Sequence, residues 1–336
     1  MTRYQPSELW RDTTAYHLEL MKNPWYQVVA KLQSAITEAT VDFWRGRGGT
    51  TLHLPITTGS ISSPMGRGSD SSPVHIDLMG SSTYLADSMQ FMLELGCRLA
   101  DGDSYYVMPS FRGEDADSTH LCQFFHSEAE IAGGLDDVMS TVQDYLVYLT
   151  GKVLERHADA IAGCGGDLRR VEELAQGGKF EHITFEEAVG HLGDTGFKTV
   201  EGGGRTLTRE GERDLMRKLG GFVWVSHWDH LSVPFYQAFA DEDRKTALNA
   251  DLLFGVGETV GAGERHVTRE EVLEALKYHE VDEKPYEWYM DMRDLKPLRT
   301  SGFGLGVERY LMWLLDHGDI RDFQLLPRRN GFDIVP

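Results

Sequence analysis

A strand-like stretch at 120–131, HLCQFFHSEAEI, concentrates side chains that could do chemistry. Its odd positions are mostly apolar, whereas its even positions carry His120, Phe124, His126, Glu128 and Glu130. Strand side chains alternate between faces, so one face would pack on a core and the other would present an aromatic ring, imidazoles and carboxylates. That second face is either a solvated sheet surface or a ligand site, and one alternative is a metal held by His120, His126 and Glu128.

Two further pairs of charged residues could bind a ligand. Arg112 and Glu114, at the end of the strand-like stretch before it, share a parity and would project to one face. Asp251 and Glu258 flank an apolar, glycine-rich loop, LLFGVG. Carboxylates at adjoining strand ends suit Mg²⁺, which takes one or two carboxylates together with substrate phosphates.

Near the C-terminal end, TSGFGLGVER at 300–309 alternates glycine with apolar residues before an acid and an arginine. Glycine weakens a strand and is kept where another backbone or a ligand must approach closely. The stretch therefore predicts a ligand floor at Gly302, Gly304 and Gly306. Glu308 has only a general interpretation, an acid favoured by the dipole at the start of a helix.

Polar residues in two other predicted elements could bind a small polar ligand. In the predicted helix 84–100, Gln90 and Glu94 lie four apart on one face, although such pairs are more often only solvent-exposed. The stretch YEWYMDMR at 286–293 alternates and predicts a strand that projects Arg293 opposite an apolar face. An arginine there suits a carboxylate or amide ligand, and an ion pair with a neighbouring acid is equally open.

Patterning also predicts the elements that must position these residues. Apolar residues at helical spacing predict helices over 24–46, 84–100, 134–160 and 268–279, with another after the glycine stretch. Strands are predicted at 50–55, 105–114, 120–131, 221–226, 249–254, 258–262 and 286–293. The Gly/Ser/Pro-rich run at 56–73 predicts a loop, and 161–206 has the least ordered pattern. Antiparallel strands with interposed helices favour an α+β fold.

Composition excludes several classes of protein. The chain of 336 residues is 41% hydrophobic and 26% charged, as in ordinary globular proteins, and it holds no apolar run long enough for a membrane span. The start shows no signal or transit peptide, and three cysteines are too few for a disulfide framework, so we expect a cytoplasmic protein. A formal net charge of −20 disfavours extensive wrapping of nucleic acid but leaves a small basic site open.

The order and spacing of these stretches resemble a known family, the catalytic domain of class II aminoacyl-tRNA synthetases, closest to the asparaginyl/aspartyl branch. RGGTTLHLPITT resembles motif 1, SFRGEDADSTHLCQFFHSEAEI motif 2 and GFGLGVERYLMWLL motif 3, with ALNADLLFGVGETVGAGER and KPYEWYMDMR between them. The resemblance implies an antiparallel sheet of six or seven strands flanked by helices, in a homodimer formed through motif 1. It divides the chain into an N-terminal extension at 1–23 and a catalytic domain at 24–336, with a variable insertion at 161–206.

The resemblance also implies an ATP site. Arg112 would bind the α-phosphate and the reacting carboxylate, where it would stabilise the charge that develops. Glu114 would lie near the adenine edge, and Phe124 would stack on the base. His120 and Arg309 would hold the terminal phosphates, with Arg309 acting bidentately. Arg112 and Arg309 are thus the expected catalytic residues.

A metal and a mechanism follow from the same resemblance. Asp251 and Glu258 would carry Mg²⁺ between the phosphates, and the three alternating glycines would form the floor under the adenosine. The implied reaction is attack of a carboxylate on the α-phosphorus of ATP, which gives an acyl-adenylate and pyrophosphate. Positioning and charge neutralisation would do the catalysis, with no protein nucleophile.

The expected amino-acid site is similar to that of the asparaginyl enzymes. DSMQFMLE resembles that subfamily's S-x-Q-x-x-L-E, which implies that Ser88, Gln90 and Glu94 bind the amino acid; aspartyl enzymes usually have a lysine where Leu93 lies. Arg293 is likewise the asparaginyl-type residue. Glu94 and Arg293 together can read the donor and acceptor of a side-chain amide. The expected substrate is asparagine, aspartate or a close analogue.

Three departures from the family's pattern change the expected acceptor. About two dozen residues precede the motif 1 helix, too few for the family's anticodon-binding domain. Ser118 and Thr119 stand where arginines usually precede the motif 2 histidine, and Asp70 is the only acid in the substrate-covering loop. We therefore expect an AMP-forming ligase that transfers the acyl group to ammonia or another small amine or carrier, with tRNA a doubtful partner. The alternatives are tRNA charging by a truncated enzyme and a non-catalytic protein that binds ATP and an amino acid.

Overall fold

The computed structural model describes residues 3–11, 16–63, 71–200 and 202–332; Asp70 lies outside them. Ten α-helices form within the described residues. They are α1 (Tyr16–Lys22), α2 (Pro24–Gly46), α3 (Gln90–Ala100), α4 (Leu135–Cys164), α5 (Leu168–Ala175), α6 (Phe185–Leu192), α7 (Arg209–Leu219), α8 (Arg269–Tyr278), α9 (Glu287–Leu295) and α10 (Val307–Leu315).

The described strands form one large sheet and two small ones. They are β1 (Thr50–Thr51), β2 (Thr57–Thr58), β3 (Val74–Leu78), β4 (Ser81–Leu85), β5 (Ser104–Phe111), β6 (Gln123–Ala132), β7 (Glu181–Thr184), β8 (Phe197–Thr199), β9 (Arg205–Leu207), β10 (Val223–Ser226), β11 (Asn249–Phe254), β12 (Gly257–Glu264) and β13 (Thr300–Gly306). The large sheet has the order β1-β5-β6-β13-β12-β11-β10-β7, β2-β4-β3 form a second sheet, and β8 pairs with β9.

The large sheet is antiparallel in its centre and parallel at both edges. From β5 to β10 every neighbouring pair runs antiparallel, whereas β1 lies parallel to β5 and β7 lies parallel to β10. The α+β class is confirmed. The expected sheet of six or seven antiparallel strands differs at its edges, because β7 comes from the segment 161–206 and adds an eighth strand.

Helices α2, α4 and α10 cover one face of the large sheet and leave the other face for a site. On β6, Ala129 and Ile131 belong to the core that these helices build, and Ser127 Oγ lies 2.9 Å from the Tyr145 hydroxyl of α4. Helix α2 starts where the Asn23 side chain accepts a hydrogen bond from the Trp25 amide, with proline in the first turn. The even positions of β6 project from the opposite face, as the alternation predicts.

The predicted strand at 286–293 is wrong, because these residues lie in helix α9 and the turn before it. Tyr286, Tyr289, Met290 and Arg293 are buried and recur at helical spacing, and Met292 beside them is buried as well. Arg293 is 1% exposed and occupies a position of the buried stripe. A hydrophobicity pattern counts an arginine as a solvent-facing position, so the buried residues of this helix resembled the alternating pattern of a strand.

Two further segments differ from their predictions. The segment 161–206 is more ordered than its pattern indicates, since its described residues form α5, β7, α6 and β8 and begin β9. Helix α3 begins at Gln90, and the hairpin of β3 and β4 occupies residues before it. The domain boundaries at 23, 161 and 206 stay predictions. In the described part of the chain, no helix combines the length and apolar character that a bilayer crossing requires.

Candidate active site

Glycines of neighbouring strands lie side by side at the centre of the sheet. Glu128 of β6 pairs with Gly304 of β13, which pairs with Gly261 of β12, which in turn pairs with Asp251 of β11. Residues paired across strands project to the same face. This face therefore carries a shallow trough that has carboxylates on both sides and no side chain between them.

A cavity of about 240 Å³ lies over one end of the trough; we call it the outer cavity. Six of the predicted ATP-binding residues line it: Arg112, His120, Phe124, Gly304, Gly306 and Arg309. The Arg112 guanidinium lies 5.5 Å from the centre of the Phe124 ring, and Arg309 donates a hydrogen bond to the Glu258 carbonyl oxygen. An aromatic ring beside two guanidinium groups can bind a base and its phosphates.

The other two predicted ATP-binding residues, Glu114 and Gly302, lie outside the lining of the outer cavity. Glu114 Oε1 accepts a hydrogen bond from the Ser72 amide, whereas Oε2 is buried without a hydrogen-bond partner among the described residues. A buried acceptor is costly unless a donor reaches it, and an adenine amino group is such a donor. Gly302 pairs with Glu130, whose carboxylate covers it, so this glycine accommodates a protein side chain.

A second cavity of about 220 Å³ continues from the first; we call it the inner cavity. Five residues line both cavities: Arg112, His126, Glu258, Gly261 and Gly304. Of the predicted amino-acid residues, Ser88 and Gln90 line the inner cavity. Gln90 Nε2 is buried and has no hydrogen-bond partner among the described residues, so it would donate to an oxygen of a ligand.

The other two predicted amino-acid residues, Glu94 and Arg293, lie behind the lining of the inner cavity. Both side chains are 0% exposed, and Arg293 Nη2 lies 2.7 Å from Glu94 Oε2. The Tyr289 hydroxyl donates to the other oxygen of Glu94 at 2.5 Å, and Arg293 Nε donates to the His266 carbonyl at 2.9 Å. The pair is thus internally satisfied, and its role in binding substrate stays a prediction.

Arg265 is a cation of the inner cavity that the sequence analysis missed. Its guanidinium bonds Glu130 at 3.1 Å and Gln237 Oε1 at 3.2 Å, and it lies 5.2 Å from the centre of the Tyr236 ring. Burial raises the pKa of the Glu130 carboxyl, and the charge of Arg265 opposes that rise. The sequence GAG shortly before this arginine could have identified it. Its alternating glycines on β12 resemble those on β13 and border the same trough.

Asp251 and Glu258 converge as predicted. A Cβ placed on Gly261 would lie 3.3 Å from Glu258 Oε1 and 3.6 Å from Asp251 Oδ1. Two carboxylates over one glycine, beside the cations of the outer cavity, fit Mg²⁺ held jointly with phosphates. Among the described residues, no group of three or more His, Cys, Asp or Glu side chains is placed to hold a metal alone, so the alternative site at His120, His126 and Glu128 does not form.

Burial favours the uncharged forms of two groups beside the trough. Burial, with smaller contributions from Arg112 and Arg309, lowers the pKa of His126 to about 3. Burial likewise raises the pKa of Glu128 to about 8, although Ser88 Oγ donates to this carboxyl at 2.8 Å. The wall of the inner cavity next to Gly304 therefore carries little charge at neutral pH.

Glu308, which the sequence analysis left with a general role, has a specific structural one. Its oxygens accept hydrogen bonds from the Phe125 amide at 3.0 Å and from Gln324 Nε2 at 3.0 Å. The residue is 1% exposed, and burial raises the pKa of its carboxyl to about 7. Glu308 thus joins the start of α10 to β6 beside the outer cavity, next to Arg309.

The comparison with protein families gives one matching family, described as tRNA synthetases class II (D, K and N), over residues 11–330. Curated relatives include asparagine–tRNA ligases from Koribacter versatilis, 29% identical over 86% of this chain and 66% of theirs, and from Thermoplasma acidophilum, 28% identical over 98% of this chain and 74% of theirs. The chain thus spans about two thirds to three quarters of the length of these relatives.

A solved structure shares the architecture. The asparaginyl-tRNA synthetase from Pyrococcus horikoshii complexed with asparaginyl-adenylate superposes with a TM-score of 0.87 and 26% identity, over 97% of this chain and 73% of that one. These relatives correct one expectation. The prediction that tRNA is a doubtful partner is wrong, because proteins of this similarity are named asparagine–tRNA ligases. The names of the relatives given above do not support ammonia or a small amine as the acceptor.

Proposed function

Because the chain belongs to the class II tRNA synthetases of the D, K and N group, we propose that it activates asparagine with ATP and transfers the asparaginyl group to tRNA. The observation that carries the proposal is the single continuous pair of cavities. It joins a site with an aromatic ring and two arginines to a site with polar amide and hydroxyl groups, across a trough bordered by Asp251 and Glu258. ATP and an amino acid must meet in this way for an adenylate to form.

The outer cavity would bind ATP. Phe124 would stack on the adenine, and the orphaned Oε2 of Glu114 would accept from its amino group. Arg112 lines both cavities, so it would contact the α-phosphate where the reacting carboxylate arrives. His120 and Arg309 would hold the terminal phosphates through charge-assisted hydrogen bonds.

The reaction would proceed in two steps. An oxygen of the asparagine α-carboxylate attacks the α-phosphorus in line, which forms the acyl-adenylate bond as the bond to the β-phosphate oxygen breaks and pyrophosphate leaves. A ribose hydroxyl of the tRNA then attacks the carbonyl carbon, which forms an ester as the bond from that carbon to the phosphate oxygen breaks. The hydroxyl proton passes to the phosphate as AMP leaves. Mg²⁺ held by Asp251 and Glu258 would neutralise charge on the phosphates. Arg112 would stabilise the charge that develops at the α-phosphate in the first step.

The inner cavity would bind the amino acid. Ser88 and Gln90 line it, and the Gln90 amide nitrogen, which has no hydrogen-bond partner among the described residues, would donate to a substrate oxygen. Arg265 is the cation at its wall, while Glu94 with Arg293 would support that wall from behind. A neutral side-chain amide suits a wall where burial raises the pKa of the Glu128 carboxyl to about 8 and so favours its uncharged form.

We further propose a cytoplasmic homodimer that pairs through the region of α2 and β1. β1 is an edge strand of the large sheet, and both of its residues are exposed. Val41 of α2 is 40% exposed, an apolar side chain on the surface of the adjoining helix. Sedimentation of the full chain at micromolar concentration tests the dimer, and a monomer there would refute it.

Isotope exchange between pyrophosphate and ATP tests the activation step without tRNA. We expect exchange with asparagine, weaker exchange with aspartate, and transfer of labelled asparagine to tRNA. Arg309→Ala should reduce exchange at least a hundredfold, whereas Arg156→Ala, which removes a surface ion pair with Glu38, should leave it unchanged. No exchange with any amino acid would reject the proposal in favour of a non-catalytic protein, and exchange without charging of any tRNA would reject its second step.

A further inference from the structure

The loop that carries His120 has no cation of its own. Residues 113–121, GEDADSTHL, contain neither lysine nor arginine, although the loop borders the end of the outer cavity where Arg309 lies. A site for terminal phosphates needs positive charge at this end. The structure supplies it from another part of the chain, at the first residue of helix α7.

Arg209 reaches from α7 to this loop. Its Nη2 lies 2.8 Å from His120 Nδ1 and 3.1 Å from Asp117 Oδ2. Asp117 in turn accepts hydrogen bonds from the Thr119 amide at 2.7 Å and the His120 amide at 2.8 Å. Helix α7 is fixed at this end because the Thr208 side chain caps it by accepting from the Gly211 amide. The guanidinium is therefore held against a loop whose own turn is hydrogen-bonded.

The contact determines where the proton of His120 lies. His120 Nδ1 lies 2.8 Å from Arg209 Nη2 and 3.1 Å from both Asp117 Oδ1 and Thr119 Oγ1. A guanidinium can only donate hydrogen bonds, so Nδ1 accepts in the shortest of these contacts, the one with Arg209. The proton of the neutral ring then sits on Nε2, which leaves an N–H donor on the ring that lines the outer cavity. Burial lowers the pKa of His120, and the charges of Arg309 and Arg209 lower it further against the opposing charge of Asp117, so the neutral ring is favoured.

We propose that Arg209 is a positioning residue that holds His120 as an Nε2–H donor for the terminal phosphates of ATP and provides the cation that the loop lacks. The inference rests on the proposed function in naming ATP, but the orientation of the ring is a property of the protein itself. It also explains why a loop with Ser118 and Thr119 before the histidine can serve a polyphosphate, since the charge comes from α7.

Nitrogen-15 NMR of the histidine rings tests the tautomer directly, with His120→Asn to assign the signals. We expect the Nε2–H form in the wild type. Arg209→Ala should convert it to the Nδ1–H form, because the two partners that remain 3.1 Å from Nδ1 are the Thr119 hydroxyl, which donates to Asp117, and Asp117 Oδ1, which can only accept. The same variant should raise the pKa of the ring. Arg209→Gln should keep the Nε2–H form, since an amide still donates. An Nδ1–H ring in the wild type, or an unchanged tautomer in Arg209→Ala, would overturn the inference.

Calorimetric titration with inorganic pyrophosphate and Mg²⁺ tests the effect on the ligand. We expect Arg209→Ala to bind about tenfold more weakly, Arg209→Gln to lose part of that affinity, and the matched control Arg217→Ala to bind as the wild type does. Arg217 lies on the same helix, is exposed and pairs with Asp214. Equal affinity of wild type and Arg209→Ala would contradict the inference. A wild type that neither binds pyrophosphate nor exchanges it would reject the proposed function, and the NMR result would still decide the positioning role.

Discussion

Replacing Gly302 with alanine should destabilise the protein, whereas the same change at Gly306 should not. Both glycines belong to the alternating stretch that predicts a ligand floor, but their surroundings differ. A Cβ at Gly302 would overlap the Glu130 carboxylate and lie 2.7 Å from the Ala129 carbonyl oxygen and 2.8 Å from Arg265 Nη2. A Cβ at Gly306 would have its nearest neighbour at 3.7 Å.

The cost at Gly302 follows from what must move. Glu130 is 0% exposed and is bonded to the buried Arg265 at 3.1 Å, so its carboxylate cannot swing into solvent. Overpacking of a core costs about 1–3 kcal/mol, and breaking a buried ion pair about 3–5 kcal/mol. We therefore expect Gly302→Ala to lower the free energy of unfolding by about 3 kcal/mol or more, and Gly306→Ala by less than about 0.5 kcal/mol.

Urea unfolding followed by tryptophan fluorescence measures the difference, since the chain has seven tryptophans. ATP titration of both variants separates stability from binding. The methyl group of Gly306→Ala would enter the outer cavity, so this variant should bind ATP more weakly while staying as stable as the wild type. A Gly302→Ala variant that unfolds within about 1 kcal/mol of the wild type would show that Glu130 can move aside, and loss of ATP binding at that stability would place Gly302 in the ligand floor instead.

Three other changes follow from the structure. Glu94→Gln should lower the free energy of unfolding by about 3–5 kcal/mol, because it leaves the charge of Arg293 buried without its partner. The double variant with Glu94→Leu and Arg293→Met should recover most of this loss, since it removes both buried charges. Urea unfolding of the wild type and both variants measures the difference, and equal losses in the single and double variants would contradict the prediction. Burial raises the pKa of Glu308 from 4.5 to about 7, so the folded state binds the proton more tightly than the unfolded state does. This stabilisation is lost as the pH rises from about 4.5 to 7, so the free energy of unfolding of the wild type relative to Glu308→Gln should fall over that range. A difference that does not change with pH would contradict the prediction. Asp251→Asn should raise the Mg²⁺ concentration needed for half-maximal exchange about tenfold with little change in stability, and an unchanged requirement would remove Asp251 from the metal site.

Local alternation was sufficient to predict the central strands and the face from which their polar side chains project. Along β6, Ala129 and Ile131 are buried in the core under the helices, while Glu128 and Glu130 project from the other face, as their parity requires. The convergence of Asp251 with Glu258 also follows from the sequence, since two strands joined by a short loop are adjacent in an antiparallel sheet.

Patterning fails where a polar residue occupies a buried position. Arg293 lies in the buried stripe of α9 because Glu94 neutralises it and the Tyr289 and His266 carbonyls each accept one further hydrogen bond from it. A hydrophobicity pattern cannot recognise that stripe without knowing that α3 supplies the acid. The same limit applies to Glu308, whose carboxyl is buried only because Phe125 and a residue beyond α10 donate to it.

The net charge disfavours extensive wrapping of nucleic acid but leaves a small basic site open, and the structure shows where positive charge is concentrated. The formal charge of −20 is a sum over the whole chain, whereas attraction to phosphates in solution acts within a Debye length of about 8 Å. Within the two cavities and at their border, Arg112, Arg265 and Arg309 are joined by Arg209, and the four come from different elements: the end of β5, the end of β12, α10 and α7. The sequence contains no local run of basic residues that would predict this cluster, because each of the four arginines comes from a different part of the chain. A polyanion meets the field of that cluster rather than the average charge, so an acidic protein can bind phosphates tightly at one place while its remaining surface repels them.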